Sequence, residues 1–147
     1  MRDKVVFIEG AVAVDDRGQL TFCNDFDMKA IRRFYIVSNH AENFIRAWHA
    51  HKKESKFVIV LSGSALVAAV KIDNWERPSK GLLVHRYILS DRKPGVLAIP
   101  PGYANGFMTL QPNTQVLFFS DAALEETKGD DYRYDARYWD PWEIVER

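Results

Sequence analysis

Two histidines separated by a single residue, His49 and His51, stand in the run Arg46-Ala47-Trp48-His49-Ala50-His51-Lys52. In an extended segment, side chains alternate between faces, so residues two apart point the same way and both imidazoles aim into one space. A neutral imidazole takes up a proton near physiological pH. Lys56 follows shortly after; an ammonium holds a developing oxyanion, and does so more strongly in a dry cavity. Base plus cation is the equipment for removing a proton next to a ketone to leave an enolate. Returning the proton to the opposite face is epimerisation; returning it to the neighbouring carbon moves the ketone. Arg46 has the opposite parity to His49, so a bulge near Ala47 is needed to turn its guanidinium into the same space.

These residues need strands to hold them, and most of the chain reads as strands between turn signals. Runs suited to strands cover residues 20–23, 33–37, 44–51, 57–61, 65–72, 82–89, 96–99, 106–110 and 115–120. Turns are marked by Asp15-Asp16-Arg17-Gly18, Ser62-Gly63-Ser64, Asp91-Arg92-Lys93-Pro94-Gly95 and Gln111-Pro112-Asn113. The last of these joins two runs that read as a hairpin. Lys56 shares the space of the histidines if residues 57–61 pair with the strand that bears them. Many short strands at regular spacing predict an all-β barrel or sandwich. From Leu124 the tail is rich in Asp, Glu, Arg, Tyr and Trp; it reads as a short helix followed by an extended segment packing Trp139 and Trp142 on the barrel.

The 147 residues suit one domain with one core, spanning 1–147. Hydrophobic residues make up 47% of them, enough to exclude wholesale disorder. Twenty Lys and Arg balance twenty Asp and Glu, which argues against a nucleic-acid partner while leaving room for a local basic pocket that takes a phosphate. The single cysteine, Cys23, allows no intrachain disulfide and fits the cytoplasm. The apolar run Val5-Val6-Phe7-Ile8 is too short for a signal peptide or a membrane span, so no membrane partner is expected.

The His-x-His strand, followed by Ile99-Pro100-Pro101-Gly102-Tyr103-Ala104-Asn105-Gly106-Phe107, resembles the two-part signature of the cupins. That resemblance implies a cupin-like jelly-roll β-barrel with its active site inside. A metal cupin offers two His and one Glu from the first motif and another His from the second. Here Glu54 follows His51 too closely and is shifted toward a loop, and Asn105 stands at the histidine position. Asn is a poor ligand for Zn²⁺ or Fe²⁺ beside imidazole, so neither a metal nor another cofactor is expected.

More narrowly, the chain resembles the cupin-type dTDP-4-dehydrorhamnose 3,5-epimerase family. The resemblance rests on Asp15-Asp16-Arg17-Gly18, Ile45-Arg46-Ala47-Trp48-His49, Lys56-Phe57-Val58, the Pro-Pro-Gly segment and Asp140-Pro141. It implies that His49 is the general base, that Lys56 stabilises the enolate, and that Arg17 and Arg46 hold the substrate's phosphate or sugar. His49-Ala50-His51-Lys52 with Leu61-Ser62-Gly63-Ser64 looks more like the dTDP-sugar 3,4-ketoisomerases, in which both histidines line the site and a tyrosine near Tyr35 is a partner. Three positions depart from the epimerase pattern. The tyrosine acid of that family falls at Phe118, its histidine after the turn falls at Asn105, and its base-orienting aspartate lies in a segment beyond Arg147.

The expected activity is therefore a cofactor-free isomerase of a nucleotide-diphosphate-linked 4-keto-6-deoxyhexose in surface-polysaccharide sugar biosynthesis: a C3 or C3/C5 epimerase, with a 3,4-ketoisomerase as the alternative. A non-catalytic sugar-nucleotide binding module and a metal-dependent cupin oxygenase are further competitors. His49, Lys56, His51 and Tyr35 are the candidate catalytic residues; Arg17, Arg46, Asn105 and Tyr103 are the candidate substrate contacts. A homodimer is expected by the same resemblance, with an exchanged strand covering a sheet edge. Outside the site, His40 reads as solvent-exposed, His85 and Cys23 as structural, and Asp130-Asp131 and Glu125-Glu126 as a solvated face.

Overall fold

The aromatic and β-branched runs fold as strands, seen in a computed structural model that describes residues 3–147. In chain order they are β1 (Val6–Glu9), β2 (Ala11–Asp15), β3 (Gly18–Phe22), β4 (Arg33–Ser38), β5 (Ile45–Ala50), β6 (Lys56–Ser62), β7 (Ser64–Lys71), β8 (Val84–Ser90), β9 (Gly95–Ile99), β10 (Tyr103–Thr109), β11 (Gln115–Ser120) and β12 (Tyr132–Arg133). A 3-10 turn spans Leu124–Thr127. A first five-stranded sheet has the order β1-β9-β6-β11-β4, and a second has β12-β5-β10-β7-β8. β2 and β3 form a separate hairpin, exposed along nearly its whole length. This is the expected jelly-roll. No helix is long and apolar enough to cross a membrane.

Between the two sheets lies a core built from Val58, Val67, Leu97, Phe107, Val116 and Phe118 among others. β7 is buried on both faces, which explains its nearly unbroken apolar run Ala65-Leu66-Val67-Ala68-Ala69-Val70. Its outer side chains, Leu66 and Val70, join Trp48, Trp139 and Trp142 in a second apolar layer beneath the tail. Trp48 is fully buried, sits edge-on to Trp139 at 5.4 Å, and donates its indole N–H to the Trp139 carbonyl at 3.1 Å. The tail thus packs its tryptophans on the barrel, as its composition implied.

Two pairings differ from the sequence expectation. β10 and β11 do not form a hairpin: β10 lies in the second sheet and β11 in the first. Nor does β6 pair with β5; it lies between β9 and β11, so Lys56 comes from the sheet facing the histidines. Periodicity reports which residues share a face, but it is silent on which of two stacked sheets a strand joins.

Candidate active site

Where the two sheets part, between β4 on one side and β5 with β12 on the other, a cleft of about 700 Å³ opens. Six of the eight expected site residues line it: Tyr35, Arg46, His49, His51, Lys56 and Asn105. The second sheet supplies His49 and Arg46 from β5 and Asn105 from β10. Asn105 lies directly across from His49, whereas the next pair is Phe107 with Arg46, one residue out of step. That shift is the bulge that the parity of Arg46 requires, and it puts the guanidinium on the side of the imidazole. Gly106 fits the same spot for a steric reason: a Cβ there would stand 2.4 Å from that of Ala47.

His51 lies just past the end of β5, and two devices hold it. Its carbonyl accepts the amide N–H of Gly102 at 2.8 Å, tying the His-x-His segment to the Pro-Pro-Gly turn. Gly102 has φ +89°, a conformation that favours glycine. Nδ1 of His51 lies 2.6 Å from the Asp130 carbonyl. Because a carbonyl only accepts, this contact assigns the proton to Nδ1 and leaves the lone pair on Nε2. The Asp130 carboxylate accepts the amide N–H groups of Lys52, Lys53 and Glu54 at 2.7, 3.0 and 3.2 Å, so successive backbone donors cradle one anion. Asp130 is buried, not part of the solvated face that its acidic neighbourhood suggested.

From the first sheet, β4 alternates cleanly: Arg33, Tyr35 and Val37 face the cleft, while Phe34 and Ile36 face out. Tyr35 stacks on Phe118, its direct cross-strand partner, at 5.1 Å. Lys56, buried at the start of β6, places its ammonium 4.9 Å from the centre of the Tyr35 ring. Its charge is met by Glu54, whose Oε2 accepts Lys56 Nζ at 2.7 Å, Arg33 Nη2 at 2.9 Å and the Ser120 hydroxyl.

Opposing effects set the titration of these groups. Burial pushes the Glu54 carboxyl up, but the hydrogen bonds from Lys56 and Ser120 and the charges of Lys56 and His51 outweigh it, so it stays below the usual carboxylate value. Burial lowers the His49 imidazole; Arg133, His51 and Arg46 lower it further, against an upward pull from Asp131. His49 is therefore a neutral base at physiological pH. Arg133 reaches this position because β12 pairs with β5, with Arg133 opposite His49.

Two expected residues lie elsewhere. Arg17 sits at the tip of the β2–β3 hairpin with its guanidinium largely exposed and paired to Asp15, outside the cleft. Tyr103 opens β10 on the inner face but belongs to the buried core, beside His85 at a separate depression. The strand read over residues 106–110 in fact begins three residues earlier, at Tyr103. Conversely, Arg33, Lys128 and Arg133 line the cleft without having been singled out, and so do Glu54, weighed only as a displaced metal donor, and Asp131, read as part of a solvated face. Arg33 could have been found from its parity with Tyr35; the tail residues carry no local signal, because only the docking of β12 brings them in. His40 is exposed, as expected. Among the described residues, no group of three or more His, Cys, Asp or Glu side chains could hold a metal ion.

A jelly-roll with two imidazoles, a buried ammonium and a cationic cleft is the arrangement expected of a cupin-type isomerase. The dTDP-4-dehydrorhamnose 3,5-epimerase family model matches residues 3–140, and the chain belongs to that family of nucleotide-sugar isomerases. The solved structures give the same fold. A dTDP-4-dehydrorhamnose 3,5-epimerase from Bacillus anthracis, with TDP and PPi bound, has 22% identity and a TM-score of 0.76, over 97% of this chain and 86% of that one. The QdtA 3,4-ketoisomerase from Thermoanaerobacterium thermosaccharolyticum, in complex with TDP, has 24% identity and a TM-score of 0.67, over 94% and 93%. A 3'-monoepimerase from Streptomyces bikiniensis, in complex with dTDP-quinovose, has 11% identity and a TM-score of 0.73, over 89% and 69%. No curated protein sequence matches the chain.

Proposed function

We propose that the protein epimerises a dTDP-linked 4-keto-6-deoxyhexose at C3. The observation that carries this reading is the placement of proton carriers on both walls of one cleft. His49 and His51 stand on the wall formed by β5, and Tyr35 stands on the β4 wall opposite. Inverting a carbon requires removal of a proton on one face and its return on the other. An imidazole takes the C3 proton, and the C–H electron pair becomes the enolate. Charge develops on the ketone oxygen, where the Lys56 ammonium offsets it. The Tyr35 phenol then donates its proton to the opposite face of C3, in place of the acid missing at Phe118. Solvent carries the proton from the imidazole back to the phenolate, which restores the starting state.

Five cationic side chains line the cleft, Arg33, Arg46, Lys56, Lys128 and Arg133, against the carboxylates of Glu54 and Asp131. That excess suits a diphosphate. Asn105 is placed to hydrogen-bond the sugar, with its amide N–H₂ donating to the His49 carbonyl at 3.3 Å. A specific observation favours a second reading, 3,4-ketoisomerisation: two imidazoles on the same wall can take a proton from C3 and return one to C4. The product would serve surface-polysaccharide synthesis in the cytoplasm, a compartment that suits the free Cys23.

A homodimer completes the reading. Phe34, Ile36 and Leu61 are exposed on the first sheet, and Val14 and Leu20 on the β2–β3 hairpin. A phosphate role for Arg17 then requires the cleft of the partner, and light scattering would show twice the chain mass. The reaction is tested by proton NMR of dTDP-4-keto-6-deoxyglucose in heavy water. Deuterium entering C3 with inversion is expected; a 3-keto product selects ketoisomerisation, and no exchange at either carbon rejects both.

A further inference from the structure

The carboxylate of Glu54 is the least explained charge in the cleft. Its side chain is 1% exposed, and its two oxygens have different surroundings. Oε2 serves Lys56, Arg33 and Ser120. Oε1 has no hydrogen-bond partner among the described residues and points at Nδ1 of His51, 3.5 Å away. A buried acceptor left open is costly, so what it faces matters. What it faces is the imidazole whose Nδ1 proton the Asp130 carbonyl already fixes. When Nε2 of that ring receives a proton, positive charge spreads to Nδ1 and comes to lie against Oε1. His49 has no comparable partner: its neighbours on β5 and β12 are Arg46 and Arg133, and Asp131 is itself paired to Arg133 at 3.1 Å.

We infer that Glu54 is a positioning residue that couples His51 to Lys56: one oxygen stabilises the imidazolium as it forms, and the other holds the ammonium charged and in place. The inference deepens the proposed function and rests on reading the cleft as a site of proton transfer. It makes His51, not His49, the imidazole that carries the proton between steps. It also accounts for a glutamate where a metal-ligand reading found only a misplaced donor. The other charged groups facing this unit are Arg33 on β4, Arg46 and His49 on β5, and Lys128, Asp131 and Arg133 from the tail. All but Asp131 and the neutral His49 are cations, which oppose protonation of His51; the Asp130 carboxylate is taken up by the amides of Lys52, Lys53 and Glu54, and Glu54 is the anion whose open oxygen lies against the ring.

The test is a ¹⁵N-histidine NMR titration of the full chain for wild type, Glu54→Gln and Glu54→Asp, run beside turnover of dTDP-4-keto-6-deoxyglucose and dTDP binding. His51 should show the Nδ1-protonated tautomer when neutral. Its titration should move to lower pH in Glu54→Gln, while exposed His40 titrates unchanged as an internal control. kcat should fall about 100-fold or more, with dTDP affinity retained. Glu54→Asp, which keeps the charge but withdraws it by one methylene, should lie between. A His51 titration common to all three proteins overturns the inference, whatever reaction the enzyme runs, and so does an undiminished kcat in Glu54→Gln. If Glu54→Gln does not fold, a Glu54→Asp protein with wild-type titration and kcat overturns it equally. An inactive wild type whose His51 titration still responds to Glu54 rejects the proposed reaction and leaves the coupling standing.

Discussion

The two sides of β5 belong to different regions built from one six-residue strand. Behind it, Trp48 is fully buried against Trp139 and Trp142, sealed by a tail whose backbone bonds to that of Trp48 in both directions at 3.1 Å. In front of it, His49 faces a polar cleft with Arg46, Asn105 and the buried Glu54–Lys56 pair. The rear face is apolar and closely packed, so its side chains should be held by stability. The front face keeps charges partly paired and one carboxylate oxygen unmatched, an arrangement a packing layer has no reason to keep. The difference teaches that the strand has separable duties: what is lost behind it should appear in the folding equilibrium, and what is lost in front of it in the rate.

The largest effect should come from the front. His51→Asn removes the proton-carrying nitrogen while keeping a donor for the Asp130 carbonyl. kcat should fall by about 10²–10⁴-fold, with a thermal midpoint close to that of wild type. A midpoint that falls along with the rate would erase the distinction between the faces. Next comes the rear: Trp48→Ala opens a cavity under the tail and breaks the bond to the Trp139 carbonyl. It should cost about 3–5 kcal/mol in urea unfolding, with kcat per folded molecule retained. A rate loss in the folded fraction would mean that the tail layer also sets the geometry of the cleft.

The rear face was legible in the sequence by composition, and the front by spacing. Three tryptophans near one another in three dimensions need no special signal beyond being large and apolar, and Trp139 and Trp142 were expected to pack. His49 and His51 were found by period two, and the bulge at Ala47 followed from the wrong parity of Arg46. What was not legible required knowledge of the sheet each strand joins. Lys56 enters from the facing sheet, and a local pattern is the same in either case. Arg133 reaches His49 only because a two-residue strand adds to the edge of β5, too short for any periodicity to show. Asp130 was misread because an acidic pair in a polar tail is ordinarily solvated; its burial depends on three amide groups of a loop far away in sequence.

A smaller effect should come from the rim of the cleft. Arg46 is exposed, so Arg46→Ala leaves no buried charge unpaired and should not disturb folding. Loss of one charge-assisted contact to a diphosphate is worth about 1.5–3 kcal/mol, so KM should rise roughly 10–100-fold with kcat little changed. A fall in kcat at constant KM would instead place Arg46 at the reacting carbon.

The smallest effect concerns His49 and its pH dependence. Its imidazole is held below the ordinary value of 6.5 in the folded protein, first by burial and then by Arg133. As pH falls below that ordinary value, the unfolded chain takes up a proton that the folded chain refuses, so the folded state loses stability until the folded value is reached. The penalty is absent above it. His49→Asn removes this difference. The stability of wild type relative to His49→Asn should therefore decline as pH falls through about 6.5, the unfolded value, and level off once the lower folded value is passed. Parallel curves across that range would mean that His49 accepts its proton as freely as an exposed histidine, and the two imidazoles of the front face would then be interchangeable as proton carriers. Arg133→Gln sharpens the same point: with the cation across from His49 gone, the slope should shrink but keep its sign, since burial is the larger cause.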